Sequence, residues 1–216
     1  MEETQHSDLT LPCLIHDLNN VFQTLVEAAD LLSSDPRWAS LAAALLRSVE
    51  RGKNLTAGIQ RTDEAPAPLE TVLGNAISFV EDSMIGGRGP RISFHTEIEP
   101  GIELRRTWAW DRVLINLFSN AVRAMPSGGT IEVHVRRRDS NIEIVVEDDG
   151  LGIAPEILPD IFKPHVSTRG SGLGLHIVAS IVGQEDGFVR AVNRPEGGAK
   201  FIITVPAPPN ARPAHA

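Results

Sequence analysis

A long apolar stripe at helical spacing opens the chain and limits what its N-terminal part can fold into. At about 100° per residue, one face of a helix predicted over Leu9–Leu32 collects ten apolar side chains. These are Leu11, Leu14, Ile15, Leu18, Val21, Phe22, Leu25, Ala28, Ala29 and Leu32. The short turn Ser33-Ser34-Asp35-Pro36 then predicts a second, antiparallel helix that runs to about Arg61. Such a hairpin has too little partner surface to hide the stripe, so a homodimer through residues 8–61, forming a four-helix bundle, is predicted.

Three polar residues stand out on this first helix. His16 and Asn20, four residues apart, point almost opposite to the stripe, and Asp17 lies on its flank. A histidine that only packs would lie inside the stripe, whereas an exposed imidazole beside an acid is able to accept a phosphoryl group. A plain solvated helix face explains the same pattern equally well.

Composition excludes several classes of protein. The 216 residues are 42% hydrophobic and 22% charged, which is ordinary for a globular protein able to bury a core. A net charge of -8 argues against binding nucleic acid or an anionic membrane. The single cysteine, Cys13, excludes an internal disulfide, and no secretory signal or membrane span is visible. We therefore expect a soluble, cytoplasmic protein, and any signal that it answers must come from a separate molecule.

Beyond a proline-rich linker, the pattern changes to mixed helix and strand. Helices are predicted over 69–82 and 111–125 and from about Gly172, and strands over 91–98, 102–106, 130–137, 141–147 and on both sides of Gly197-Gly198. Helices on one face of a mixed sheet define an α/β sandwich, so the fold class of the whole chain is α+β. The predicted organisation is a helical hairpin over 1–64, a linker over 65–68, a second domain over 69–206 and a disordered tail over 207–216.

Three segments of the second domain could serve one nucleotide site. Asp148 ends an apolar strand and is followed by Gly150 and Gly152, so its carboxylate could accept a hydrogen bond from an exocyclic amine while backbone approaches a planar ring. Gly170-Ser171-Gly172-Leu173-Gly174 opens a helix, where free amides and the helix dipole favour phosphate. Plain turn chemistry explains each of these segments taken singly.

The third segment is a helix that carries Asn116 and Asn120 on one face. An asparagine carbonyl oxygen is a suitable hard ligand for magnesium, and Arg123, one turn beyond Asn120, could meet a phosphate oxygen. An exposed polar stripe on an amphipathic helix is the alternative interpretation.

In their order along the chain, these segments resemble the catalytic ATP-binding domain of sensor histidine kinases over residues 68–206. The matching stretches are NLFSNAVRAMPSGGTIEV, VEDDGLGI, IFKPHVSTRGSGLGLHIV and GGAKFIITVP. The hairpin with HDLNN resembles the family's dimerisation and histidine-phosphotransfer domain, and NAVRAMPSGG is similar to the nitrogen-regulatory kinases. The resemblance implies that the second domain has the Bergerat ATP-binding fold.

The resemblance also implies a chemistry for the helical hairpin. His16 would accept the γ-phosphoryl group of ATP, and Asp17 would act as base or hydrogen-bond partner to the imidazole. The phosphoryl group would then pass to an aspartate of a response-regulator receiver domain. Asn20 would orient a water for dephosphorylating that regulator, which would make the protein bifunctional.

The cofactors implied by the resemblance are ATP and Mg²⁺. Asp148 would hold the adenine amino group between Gly150 and Gly152, and Asn120 would bind Mg²⁺ with Asn116 beside it. The further nucleotide-binding residues implied are Arg123, Thr168, Gly170, Gly172, Leu173 and Gly174.

Two segments depart from the family pattern. His165 stands where the family usually has a second aromatic, and the segment Gly183–Gly187 is unusual. Three alternatives stay open: a histidine phosphotransfer protein with a non-catalytic ATP-binding-like domain, another ATPase of the same superfold, and a dimerisation scaffold with a regulatory nucleotide pocket.

Overall fold

The computed structural model of the protein describes residues 10–33, 35–39, 41–43, 45–46, 48–49, 52–53, 66–84, 91–166 and 172–207. The chain divides into two compact units, residues 1–63 and residues 64–216. The last part of the predicted second helix and the tail beyond Ala207 lie outside the described residues.

Unit 1 contains helix α1, Thr10–Ser33, and further helical residues at 41–43, 45–46, 48–49 and 52–53. The backbone of Gly52 lies against the ring of Phe22, where a methyl group would overlap the ring carbons. Ile15, Phe22 and Ala29 lie on one side of α1, because they are spaced seven residues apart. Ile15 and Ala29 are buried there. The apolar stripe is therefore only partly covered, since Leu18, Val21 and Leu25 are exposed.

The turn after α1 is closed by Asp35. Its Oδ1 accepts a hydrogen bond from the backbone N–H of Arg37 (2.9 Å), and its carbonyl accepts one from the N–H of Trp38 (2.9 Å). An aspartate bonded to the amide two residues on is the usual cap at the start of a helix, as the sequence predicts at this turn.

Unit 2 is built on a five-stranded mixed sheet. Its strands are β2 (Ile92–Ile98), β4 (Gly129–Arg138), β5 (Asn141–Asp148), β6 (Phe188–Asn193) and β7 (Ala199–Pro206). They lie in the order β2-β4-β5-β7-β6. The pair β2 and β4 is parallel, and the other three pairs are antiparallel. A sheet of this kind, covered by helices, is the α+β architecture that the sequence predicts.

Helices cover one face of the sheet. They are α2 (Leu69–Met84), α3 (Thr107–Ala124) and α4 (Gly174–Gln184), with a short 3-10 turn at Leu158–Asp160. Alternate residues of β4, such as Ile131 and Val133, join the helices in one apolar core. From α3 that core receives Trp110, Val113, Leu114, Leu117, Phe118 and Ala121, a helical 3-4 repeat.

Helix α3 begins one turn earlier than its predicted start at Asp111. It starts at Thr107, so Trp108 and Trp110 lie inside the helix rather than ahead of it. The residue before the helix, Arg106, has a left-handed backbone (φ 52°, ψ 52°). Its guanidinium pairs with Glu185 (2.9 Å) and lies over the ring of Trp108 (5.2 Å), contacts that offset the cost of this conformation.

The segment predicted as a linker contains a short strand. Ala67–Pro68 (β1) pairs antiparallel with Glu103–Leu104 (β3), which is all that remains of the strand predicted over 102–106. The N–H of Leu69 donates to the carbonyl of Ile102 (2.9 Å), so the start of α2 is fastened to this small sheet. Proline is tolerated in β1 because a two-stranded edge requires few backbone donors.

Candidate nucleotide-binding site

The carboxylate of Asp148 lies at the end of β5 and is buried, with 3% of the residue exposed. The backbone N–H of Gly150 (3.0 Å) and that of Ala199 (3.3 Å) both donate to its Oδ1. Neither of these two amides donates to Oδ2, which is therefore the oxygen available to a further donor.

Burial raises the pKa of the Asp148 carboxyl above its ordinary value of 3.8. The two amides and the charge of Arg194 oppose that rise in the pKa, and the charge of Asp149 adds to it. A donor that reached Oδ2 would stabilise the ionised carboxylate, so this site favours a ligand with an N–H group pointing at the end of β5.

The loop after Asp148, residues 148–153, packs against the end of α3. The N–H of Leu151 donates to the carbonyl of Ala124 (3.1 Å), and a Cβ placed on Gly150 would lie 2.8 Å from that oxygen. Gly152 has φ +70°, a conformation that side chains other than glycine rarely adopt. The two glycines that the sequence singles out are therefore required by close approach at one position and by backbone conformation at the other.

The two asparagines of α3 have different partners. Asn116 uses its Nδ2 to donate to the carbonyl of Arg112 (2.8 Å), which leaves its Oδ1 directed away from that bond. A Cβ placed on Gly174, the first residue of α4, would lie 3.0 Å from this Oδ1. The structure thus brings Asn116 against the N-terminus of α4, where the helix dipole and free amides favour phosphate.

The structure places Arg123 on Asn120. The guanidinium Nη2 of Arg123 donates to Asn120 Oδ1, the atom that the sequence predicts as a magnesium ligand. Among the described residues, no group of three or more His, Cys, Asp or Glu side chains is placed to hold a metal ion. These residues fit Mg²⁺ only if the protein supplies an amide oxygen and the phosphates supply the remaining oxygen ligands.

The segment before α4 is fixed at its two ends. The N–H of His165 donates to the carbonyl of Gly172 (3.1 Å), and both residues have positive φ values, 62° and 67°. A Cβ on Gly172 would lie 2.6 Å from the carbonyl carbon of His165, so the two backbones cross without room for a side chain. Thr168 and Gly170, between these ends, lie outside the described residues. Since Gly172 is left-handed, the helix begins at Gly174, with Leu173 just before it.

Two residues near the site were missed by sequence reasoning. His176 Nδ1 lies 3.2 Å from the carbonyl of Phe162, which joins the first turn of α4 to the segment that precedes His165. Arg194 donates to the carbonyl of Asp148 (3.1 Å) and pairs with Glu196 (2.9 Å). The signal for Arg194 is weak in sequence, because an arginine in a turn between two strands usually faces solvent.

The candidate catalytic residues lie in unit 1. His16, Asp17 and Asn20 all belong to α1, and Asp17 and Asn20 are exposed. The side chain of His16 lies outside the described part of the helix. One helical turn separates His16 from Asn20, as the sequence predicts.

None of the helices in the described part of the chain is long and apolar enough to cross a membrane.

Comparison with known protein families gives a match that lies in unit 2. Residues 108–209 match the family described as histidine kinase-, DNA gyrase B-, and HSP90-like ATPase. The match spans α3, the Asp148 loop, α4 and the last two strands, which are the elements that form the site. The match covers slightly less than half of the chain and lies within unit 2, whose mixed sheet is typical of the Bergerat ATPase domain, so the predicted resemblance to histidine kinases is confirmed.

The relatives in sequence include sensor kinases. The chain is 40% identical over 102 residues to the sensor-like histidine kinase SenX3 of Mycobacterium tuberculosis, and the match covers 44% of the chain and 25% of that protein. It is 29% identical over 188 residues to the sensor protein FixL of Bradyrhizobium diazoefficiens, covering 81% of the chain and 37% of FixL. The chain thus spans about a quarter to a third of the length of these relatives.

Solved structures agree with this fold. The catalytic domain of histidine kinase ThkA has a TM-score of 0.57 and 27% identity, and the match covers 68% of this chain and all of that one. Full-length ShkA, solved in complex with AMPPNP, has a TM-score of 0.69 over 94% of this chain and 47% of its own. At 23% identity, ShkA supports the fold alone.

Proposed function

We propose that the protein is an ATP-dependent histidine kinase that phosphorylates its own His16. The observation that carries this proposal is the meeting of Asn116 with the N-terminus of α4 in a domain where the buried Asp148 offers an acceptor. Asp148 would hold the adenine amino group, and Gly174 and Asn116 would lie on the phosphate side. The helix that carries His16 and Asp17 belongs to the same chain.

In the proposed reaction, Nε2 of His16 forms a bond to the γ-phosphorus of ATP. The bond from that phosphorus to the β,γ-bridging oxygen breaks, and ADP leaves with the electron pair. Asp17 accepts the proton from the other imidazole nitrogen, which raises the nucleophilicity of Nε2. Mg²⁺, when bound through Asn120 and the phosphates, would supply positive charge to the transferring group.

The phosphoryl group would then move to a response-regulator receiver domain. A receiver aspartate oxygen forms the new bond to phosphorus as the phosphorus–nitrogen bond of His16 breaks, and the imidazole regains its proton. Asn20, which lies one turn from His16 and is exposed, would orient a water that dephosphorylates the receiver domain. A separate sensor protein would supply the input.

We further propose that unit 1 pairs with a second copy to form a four-helix bundle. Leu18, Val21 and Leu25 are 36%, 54% and 37% exposed, although their spacing of three and four places them on one face of α1. An exposed apolar face of this kind, on a helix that also buries Ile15 and Ala29, is typical of an interface between helices.

One observation favours a second candidate function. Arg123 occupies Asn120 Oδ1, so magnesium binding there requires the guanidinium to move. If Arg123 stays in place, the chain would be a histidine phosphotransfer protein with a non-catalytic ATP-binding-like domain.

Incubation with radiolabelled ATP and Mg²⁺ separates the two functions. We expect acid-labile, base-stable label on the wild type, none on His16→Gln or Asn120→Ala, and normal labelling on the control His95→Gln, which changes an exposed histidine of β2. Label that persists in His16→Gln would refute the proposed acceptor. Absence of label from every variant, with phosphate still accepted from a phosphorylated receiver, would support the phosphotransfer protein.

A further inference from the structure

The turn that joins β6 to β7, residues 193–199, is hydrogen-bonded through one side chain to the end of the Asp148 loop at Ile153. Asn193 Oδ1 accepts a hydrogen bond from the N–H of Ile153 (2.7 Å), and Asn193 Nδ2 donates to the carbonyl of Ile153 (2.7 Å). One side-chain amide thus satisfies both backbone groups of a single residue, as a neighbouring β-strand would.

The contact also fixes the residue before Ile153. A Cβ placed on Gly152 would lie 2.9 Å from Asn193 Oδ1 and 3.3 Å from the carbonyl oxygen of Gly198. The left-handed backbone of Gly152 is therefore enclosed on this side by the turn. Asn193 holds the loop in a conformation that an unattached chain would leave.

The near end of the loop is held by the same turn. Arg194 Nη1 donates to the carbonyl of Asp148 (3.1 Å), and the N–H of Ala199 donates to Asp148 Oδ1 (3.3 Å). Arg194 is itself oriented by Glu196 (2.9 Å) and Glu147 (3.5 Å). Both ends of the loop are thus hydrogen-bonded to the same turn, and Asn193 provides the bonds at Ile153.

We infer that Asn193 is a positioning residue that sets the preference of the site for adenine over guanine. This inference rests on the proposed function, because it assumes that Asp148 accepts the adenine amino group. Guanine presents a carbonyl oxygen at the same position, opposite the carboxylate, so two acceptors would face each other. That mismatch excludes guanine only while the loop cannot shift to admit water or move away.

The test measures binding of Mg-ATP and Mg-GTP to the full chain by calorimetry. We expect the wild type to prefer ATP, and Asn193→Ala to lower the ratio of the two affinities roughly five- to tenfold through the loss of two hydrogen bonds. Asn75→Ala, an exposed asparagine on α2, is the matched control and is expected to keep the wild-type ratio.

A second variant covers the case in which Asn193→Ala does not fold. Asn193→Asp keeps the acceptor for the Ile153 N–H and loses the donor, so it is expected to give an intermediate ratio. A purely structural role would weaken ATP and GTP binding in parallel, and an unchanged ratio in folded variants overturns the inference while leaving the proposed function intact. A wild type that binds neither nucleotide would refute both.

Discussion

The two units of the chain differ in how completely they bury their apolar residues. In unit 2, large side chains such as Trp110, Leu114 and Phe118 are at most 1% exposed. In unit 1, Leu31 is 78% exposed and Trp38 48% exposed, although Ile15 and Ala29 are buried.

Among the described residues, unit 2 encloses an apolar core, whereas unit 1 leaves large apolar side chains exposed. Three helices and five strands are enough to enclose a core in unit 2. A helix with apolar residues on more than one side cannot enclose itself, and this exposure supports the proposed pairing of unit 1 with a second copy.

The largest expected effect lies in the core of unit 2. Phe118→Ala removes a ring that is 0% exposed and packs edge-on against Phe94 (centroids 5.2 Å apart). We expect a loss of about 3–5 kcal/mol in the free energy of unfolding, measured by urea denaturation. The matched change Leu31→Ala in unit 1 is expected to cost less than about 0.5 kcal/mol. Equal costs would contradict the comparison.

The second effect tests whether unit 1 is completed by another copy. Leu25→Glu places a charge on the exposed apolar face, and we expect the dimer dissociation constant to rise by about a hundredfold. Sedimentation equilibrium measures this constant. Gln23→Glu, which adds the same charge on the opposite side of α1, is the control and should remain dimeric. A wild type that sediments as a monomer at micromolar concentration would argue against the four-helix bundle.

The third effect concerns the buried acid of unit 2. Because the folded-state pKa of Asp148 is raised, the folded protein holds this proton more tightly than the unfolded chain does. Stability is therefore expected to fall as pH rises from about 3.8 through the raised pKa, and to stay lower above it.

Asp148→Asn keeps an oxygen for the amides of Gly150 and Ala199 but cannot ionise. We expect it to be as stable as the wild type or more so at neutral pH, without this pH dependence, and to bind ATP at least about tenfold more weakly. Melting temperature against pH and calorimetry measure the two effects. Asp82→Asn, which changes an exposed acid on α2, should keep the wild-type pH dependence, and a destabilised Asp148→Asn would contradict the assignment.

The smallest effect concerns Arg106, the residue with a left-handed backbone that lies just before α3. Arg106→Ala loses the pair with Glu185 and keeps the strained conformation, whereas Arg106→Gly loses the pair and relieves the strain. We expect the glycine variant to be more stable than the alanine variant by about 1 kcal/mol, from melting temperatures. The reverse order would show that Arg106 is not strained.

Much of the fold could be predicted from the sequence, because local patterns carry it. The alternation of Ile131, Val133 and Val135 defines β4, and the 3-4 repeat of α3 defines its buried face. The early start of α3 could not be predicted, since the left-handed residue before it is favoured by contacts such as the tertiary pair between Arg106 and Glu185, which spacing does not reveal.

The candidate site divides in the same way. Glycines mark the site in the sequence, because backbone conformation or close approach requires glycine beside Asp148 and at Gly152 and Gly174. Asn193 leaves none, because its role comes from bonds to Ile153, which lies forty residues away in the chain. Whether a given asparagine faces solvent or holds a loop depends on which strands become neighbours, and spacing alone does not specify that.

The parallel pairing of β2 with β4 has a consequence for how the protein folds. Helix α3 is the crossover between these two strands, and Asp148 is bonded to Ala199, fifty-one residues away. Such long loops close slowly, because their entropy is lost before the contacts form. In refolding from denaturant, we therefore expect helical structure to return first and the ability to bind nucleotide to return last, once the final strand of the sheet is in place.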